Sequence, residues 1–347
     1  MMTLLNPYKV RRKLNKYYTY IVFLLVIWFL WYGDLFSFHW QKPFDPLDGV
    51  PRNVIGELIE LKRQVRQLKS VLKQHRIPEE EYSDPFLTTV YVITPTYARP
   101  HQKAELTRLK SVFLHIPALH WIIVEDAEAK TELVTRFLET SGLKYTHLHQ
   151  ATPPEWKLRE KDPSWYKPRG VLQRNAGIEW LHKTFAKDNN VKGVVYFADD
   201  DNTYSIELFK EMRDTSTVSV WPVALVGGVM VERPHVSPTK DPKGKHKVIG
   251  WLTGWKPDRA FATDMAGFAV NLPLLLRREN AYFSLDSRRG FIESDFLEKV
   301  TTMAELEPKA ELCTKVYVWH TRTEKPNMKD EYRLQKMGRA TNEGIEV

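Results

Sequence analysis

The chain has 347 residues, 43% of them hydrophobic and 12% aromatic, enough to bury one large or two modest cores, which excludes a disordered protein. Its formal charge of +8 is uneven: +5 lies before Tyr17, while Leu87 to Val347 keeps only +4 and has no basic arm interleaved with aromatics. That distribution argues against a nucleic-acid partner.

The first predicted element is a membrane anchor. "YYTYIVFLLVIWFLWY", Tyr17 to Tyr32, carries no charge and has aromatic rings at both ends, where they would sit at headgroup level. Sixteen apolar residues fall just short of a span, so the neighbouring residues extend it over 17–36. Bulky Trp28, Trp31 and Tyr32 stand where a cleaved signal peptide would need small residues. The basic tail 1–16 then stays cytosolic and the rest crosses the membrane, a single-pass type II topology.

Residues 37–86 read as a stem. Within it Val54, Leu58, Leu61, Val65, Leu68 and Leu72 follow the 4-3 spacing of an a/d seam, which predicts a helix over 54–76. That helix can pair with a second copy, giving a homodimer, or pack on its own domain. "IPEEEYSDP", Ile77 to Pro85, is a linker, and the domain proper runs over 87–347. Cys313 is the single cysteine, so no internal disulfide is possible; in "ELCTKVYVW" it reads as a small buried residue at a strand edge.

From Thr88 strands alternate with helices. "TTVYVITPTY" precedes "KAELTRLKSVFLHI", "HWIIVEDA" precedes "KTELVTRFLETSG", and "YTHLHQ" follows. This order predicts an α/β fold on a parallel sheet, with ligands outside the carboxyl ends of its strands. Pro95 to Tyr97, Glu125 and Asp126 fall there, and so do Asp199, Asp200 and Asp201 at the end of "GVVYFADDDNTY". No glycine-rich fingerprint follows the first strand, which argues against a bound dinucleotide or a P-loop. His147 and His149 share a strand face, which by itself is no metal site.

Three adjoining carboxylates at a buried strand end need compensation. Oxygen-only ligands suit Mg²⁺ or Mn²⁺ with positions left open for substrate phosphates. "DDDNTYSIE" lacks the turn glycine of a calcium loop. Alternatively, Asp201 or Asn202 simply caps the helix "SIELFKEMR".

The blocks "TPTYARP", "VEDAE", "PRGVLQRN", "VVYFADDDNTYS", "SVWPVALVGG", "DMAGFAVNLPLLL" and "VWHTRTEKP" together resemble the β-1,3-glucuronyltransferases of glycosyltransferase family 43, from about Thr88 onward. The resemblance implies a GT-A fold, type II Golgi topology, UDP-glucuronate as donor, Mn²⁺ as cofactor, and inversion at the anomeric carbon. It assigns Pro95, Tyr97, Asp126, Arg169, Arg174, Asp199 to Asp201, His320 and Arg322 to the donor, with Asp201 as the direct metal ligand. Arginine forks match the diphosphate and carboxylate of such a donor. Glu293 in "RRGFIESDF" takes the place of the catalytic base, although the neighbouring Asp295 departs from the family's usual serine and leaves two acids side by side. Glu232, Trp255, Arg259 and Asp264 fall to the acceptor, where Trp255 offers an aromatic face to a galactose.

Around Trp255 and in the tail "RLQKMGRATNEGIEV" the chain looks like members that add glucuronate to Gal-β1,3-Gal of the proteoglycan linkage region. "FAVNLPLLLRRENAYF" resembles relatives that cap N-acetyllactosamine. A catalytically idle glycan-binding scaffold is the reading from another class, and the presence of both a base and a metal carboxylate speaks against it.

Overall fold

The computed structural model describes residues 56, 60, 63–64, 87–158, 162, 166–188, 190–242, 244–343 and 345–346. The chain divides into two compact units, Met1–Pro78 and Glu79–Val347. In the first, the described residues are helical, and Arg63 forks onto Glu60 at 2.9 Å on an exposed face. Among the described residues no helix is long and apolar enough to cross a membrane; the predicted anchor and the Val54–Leu72 seam lie outside them.

The second unit is built on a seven-stranded sheet. Its parallel half holds β1 (Val90–Thr96), β2 (Leu119–Glu125), β3 (Lys144–His149) and β4 (Val194–Phe197), paired in the order β4-β1-β2-β3. On the far side of β4 the sheet continues through β10 (Phe268–Asn271), β6 (Val218–Val220) and β11 (Leu306–Pro308), and here β10 runs antiparallel to both neighbours. The sheet is therefore mixed rather than parallel throughout. β10, from the second half of the chain, inserts between β4 and β6 in the opposite direction, a choice that strand patterning does not encode.

Both faces are covered, so the central strands are buried at nearly every position and carry apolar residues on both faces rather than alternating. Val90, Val92, Trp121, Ile123, Val194 and Tyr196 face helices α1 (Gln102–Phe113), α2 (Glu132–Glu139) and α4 (Ile206–Met212). Tyr91, Ile93, Ile122, Val124, Val195 and Phe197 face α3 (Val171–Phe185), α5 (Leu272–Leu276) and α6 (Ile292–Val300). Trp121 is fully buried and its indole N–H donates to Thr94 Oγ1 at 3.0 Å, so the ring costs no unsatisfied donor. Thr131 caps α2 through the Val134 amide, as "KTEL" suggests. Ser205, rather than Asp201 or Asn202, caps α4, its hydroxyl accepting from the Glu207 amide at 3.4 Å. The aspartates are thereby released from a capping role.

A second sheet, in the order β5 (Thr203–Tyr204), β12 (Val318–Trp319), β7 (Val223–Ala224), β8 (Val231–Lys240) and β9 (His246–Leu252), carries the other wall of the cleft. Cys313 is buried, as expected, but it ends a left-handed turn in which Ala310, Glu311, Leu312 and Cys313 all have φ between +52° and +62°, not a strand edge. Such a run costs about 1–2 kcal/mol per residue. Bonds from the Lys309 amide to Val220 O and from the Ala310 amide to Glu211 Oε2, both 3.0 Å, hold it.

Candidate active site

The parallel strands β1, β2 and β4 deliver their carboxyl ends to one cleft. Phe197 is the last residue of β4, and the Ala198 amide still bonds Ile93 O at 3.0 Å, so the three aspartates begin where the ladder stops. They point three ways. Asp199 pairs with Arg174 of α3, whose Nη1 also donates to Arg169 O at 2.9 Å. Asp200, 6% exposed, turns inward, where Thr96 Oγ1 donates to it at 2.7 Å and Arg99 pairs with it at 2.7 Å. Asp201 alone accepts no side-chain hydrogen bond from a described residue, while its carbonyl receives Arg108 Nη2 at 3.0 Å and Thr321 Oγ1 at 2.7 Å. Burial, and then the charges of Asp199 and Asp200, push the Asp201 carboxyl up to about 6.

Two of the three like charges are thus neutralised by protein arginines, and the third, on Asp201, meets no cationic side chain within ion-pair distance among the described residues. Among the described residues no group of three or more His, Cys, Asp or Glu side chains could hold a metal by itself. A single unpaired carboxylate at a rigid strand end does fit a hard divalent cation that takes its other oxygens from a bound diphosphate.

Just past the end of β1, Tyr97 is 47% exposed, with the Arg99 guanidinium 4.4 Å from its ring centroid. Asp126 is fixed by Thr152, whose amide and hydroxyl donate to its two oxygens at 2.7 and 2.9 Å. Gly170 opens α3 at φ +69°, and a Cβ there would lie 2.7 Å from Arg174 Nη1 and 3.1 Å from Pro95 Cγ. Only glycine lets Arg174 pass this close to the end of β1. Arg169 is exposed beside it. Glu125 is not at the cleft surface: it is buried and takes bonds from His147 Nε2 at 2.6 Å and from the Thr131 amide and hydroxyl, which also accounts for His147.

Opposite lies a second group. His320 Nδ1 is 3.1 Å from Asp264 Oδ2, and Asp264 Oδ1 accepts the Ala266 amide at 3.0 Å. Burial opposes ionisation of Asp264, but the His320 bond and charge hold its carboxyl below the usual range. In return, against the cost of burial, Asp264 lifts the imidazole to about 8. Glu293, in the first turn of α6, accepts no hydrogen bond from another described side chain. Burial and the neighbouring Asp264 charge raise it to about 7, against weaker pulls from Arg259 and Arg174. Asp295 lies on the same turn of α6, its amide bonding Phe291 O at 2.8 Å. Arg322 is exposed and lines a cleft of ≈ 530 Å³ with Leu225 to Gly228, His320 and Thr321.

Glu232 and Arg259 meet each other. Their side chains are 3% and 4% exposed and 3.2 Å apart, and Arg259 also donates to Lys256 O, Thr263 O and Trp255 O at 2.9–3.2 Å. They brace the loop that presents Trp255, which is 40% exposed. Gly290, at φ +80°, backs onto that indole: a Cβ there would stand 2.6 Å from Trp255 Nε1. Sequence reasoning missed Arg99, Thr152 and Thr253, the last of which donates to Glu232. Arg99 had a signal, since three carboxylates at one buried strand end require cations nearby.

A family model described as Glycosyltransferase family 43 matches residues 109–324. Galactosylgalactosylxylosylprotein 3-beta-glucuronosyltransferase 1 of Homo sapiens is 55% identical over 248 residues, covering 71% of this chain and 72% of its own. The protein of that name numbered 3 from Mus musculus is 48% identical over 313 residues, covering 87% of this chain and 91% of its own. The one numbered 2 from Canis lupus familiaris is 54% identical over 265 residues, covering 76% of each. Identity at this level over most of both partners leaves one assignment for the α/β unit and its carboxylate-rich cleft: the chain belongs to glycosyltransferase family 43.

Proposed function

We propose that the protein transfers glucuronic acid from UDP-glucuronate to the 3-hydroxyl of a terminal galactose, with inversion, and that the acceptor is Gal-β1,3-Gal on a proteoglycan core protein. The observation that carries this reading is Glu293: a carboxyl in the first turn of α6 bound by no other described side chain, raised to about 7, in the electrostatic neighbourhood of Asp264, Arg259 and Arg174. A group with that affinity accepts a proton near neutral pH. The relatives' names, which specify a galactosylgalactosylxylosylprotein and a 3-beta-glucuronosyl transfer, support the choice of sugar and acceptor.

In this GT-A reading the uracil stacks on Tyr97 beside Pro95, and Asp126, pre-oriented by Thr152, receives a base or ribose donor group. Arg174, Arg169, His320 and Arg322 bind the anionic diphosphate and glucuronate carboxylate. Asp201 would hold Mn²⁺, which when bound offsets the charge of the departing diphosphate. The galactose packs on Trp255, and its 3-hydroxyl gives its proton to Glu293 as the oxygen bonds to the anomeric carbon. The bond from that carbon to UDP breaks on the opposite face. Protonated His320 stabilises the leaving diphosphate.

We further infer a single-pass type II protein of the Golgi membrane, with 17–36 as anchor, 37–86 as stem and 87–347 lumenal, dimerising through the heptads at 54–76. An unchanged sedimentation mass after deletion of 54–76 would argue against the heptads as the dimer contact. For the reaction, UDP-glucuronate and Mn²⁺ are offered with Gal-β1,3-Gal and Gal-β1,4-GlcNAc in parallel. A kcat/KM at least tenfold higher for the first is expected; preference for the second would assign the N-acetyllactosamine acceptor instead.

A further inference from the structure

The geometry points to Arg99 as a positioning residue that couples the nucleoside platform to the cation-binding strand end. Its side chain is 7% exposed and reaches both. The guanidinium lies 4.4 Å from the Tyr97 ring centroid, and its Nη1 donates to Tyr97 O at 3.0 Å. Its Nη2 meets Asp200 Oδ1 at 2.7 Å and Glu105 of α1. Thr96, the last residue of β1, donates to the other Asp200 oxygen at 2.7 Å and itself accepts from Gln102 at 3.1 Å. The chain of contacts therefore runs from the half-exposed Tyr97 ring through one planar cation to the residue adjoining Asp201.

Arginine is suited to this place and lysine is not. A planar fork can stack on a ring while its N–H groups serve two carboxylates and a carbonyl, whereas an ammonium is a single point of contact. Asp200 and Glu105 are both buried, so Arg99 is held strongly at that end, and its freedom lies at the Tyr97 end. A base stacked on Tyr97 fixes the ring, the ring fixes the guanidinium, and the guanidinium fixes the backbone that carries Asp201. Ordering supplied by one ligand need not be supplied again by the other, which makes the two bindings cooperative.

This inference rests on the nucleotide reading of Tyr97, and the test separates the two. Uridine has no phosphate and cannot touch a cation at Asp201, so any linkage between them must pass through the protein. Uridine is titrated calorimetrically into the full chain in detergent, with and without saturating Mn²⁺, and Mn²⁺ binding is followed by electron paramagnetic resonance with and without uridine. We expect each to tighten the other by roughly fivefold, at the low end of allosteric coupling. In Arg99→Lys, which keeps the buried charge but not the fork, the factor falls to about one while both ligands still bind. Independent binding in the native chain, or coupling that persists in the lysine variant, overturns the role of Arg99. No uridine binding at all overturns the nucleotide reading and this inference with it. The native-chain measurement needs no variant, so a lysine variant that misfolds leaves the proposal open to refutation.

Discussion

Replacing Glu293 by glutamine changes one proton-binding site and almost no volume, so it isolates what the raised carboxyl does. The group's ordinary value is 4.5 and the folded value is about 7. The folded protein therefore holds this proton more tightly than the unfolded chain, and the sign follows: stability associated with the protonated form is fully present below about 4.5 and is lost as pH rises through about 7. A shift of that size is worth at most about 3.5 kcal/mol at roughly 1.4 kcal/mol per pH unit; because the residue is only half-buried and solvent screens it, about 1–2 kcal/mol is the working figure. Glutamine does not ionise, so Glu293→Gln should be the more stable protein at pH 8, by about 2–6 °C in Tm for a unit of this size, and no more stable at pH 4. At the same time turnover with UDP-glucuronate should fall by about 10²–10⁴, the usual contribution of a general base, while UDP affinity is retained. Calorimetric melting at the two pH values and initial rates on one preparation check both halves. Equal melting temperatures at pH 8 would refute the argument that burial raises this carboxyl, and near-native turnover would remove Glu293 from the chemistry.

Glu293 and His320 set the pH profile near neutrality: kcat/KM should rise through about 7 as Glu293 loses its proton and decline through about 8 as His320 loses its own, and in Glu293→Gln the limb at about 7 should vanish, leaving only the fall near about 6 where Asp201 takes up a proton. The aspartates should separate cleanly. Asp200→Ala leaves Arg99 to Glu105 alone and the buried Thr96 hydroxyl without its acceptor, and should cost about 1–3 kcal/mol in denaturant unfolding, whereas Asp201→Ala should leave stability unchanged or slightly higher and abolish Mn²⁺-dependent turnover. Gly290→Ala forces a Cβ into φ +80° and against the Trp255 indole, so acceptor KM should rise several-fold with UDP-glucuronate KM unchanged; an unchanged acceptor KM would detach Trp255 from acceptor binding.

Much of the architecture is legible locally because each element carries its own signal. The apolar runs of β1, β2 and β4, the Thr131 cap and the turn at Gly142 are properties of a few adjoining residues, and alternating strand and helix patterns dictate a parallel core. The residue types of the site are equally plain, since three carboxylates at a strand end demand positive charge. Which positive charge answers which carboxylate is not written locally. Arg174 is 25 residues from Asp199, and the Thr96 hydroxyl that meets Asp200 is 104 residues away, so only the folded chain could assign two aspartates to protein partners and leave Asp201 for a cation.

The same division explains Glu232 and Arg259. Their side-chain types suit a sugar site, but only packing pairs the two with each other and leaves Trp255 more exposed beside them. It also explains the antiparallel β10, whose four residues read as an ordinary buried strand whichever way they run. Sequence determined the chemistry available, because side-chain type and periodicity are local. Tertiary structure decided how it is used, because burial and charge pairing depend on what the rest of the chain brings within a few ångströms.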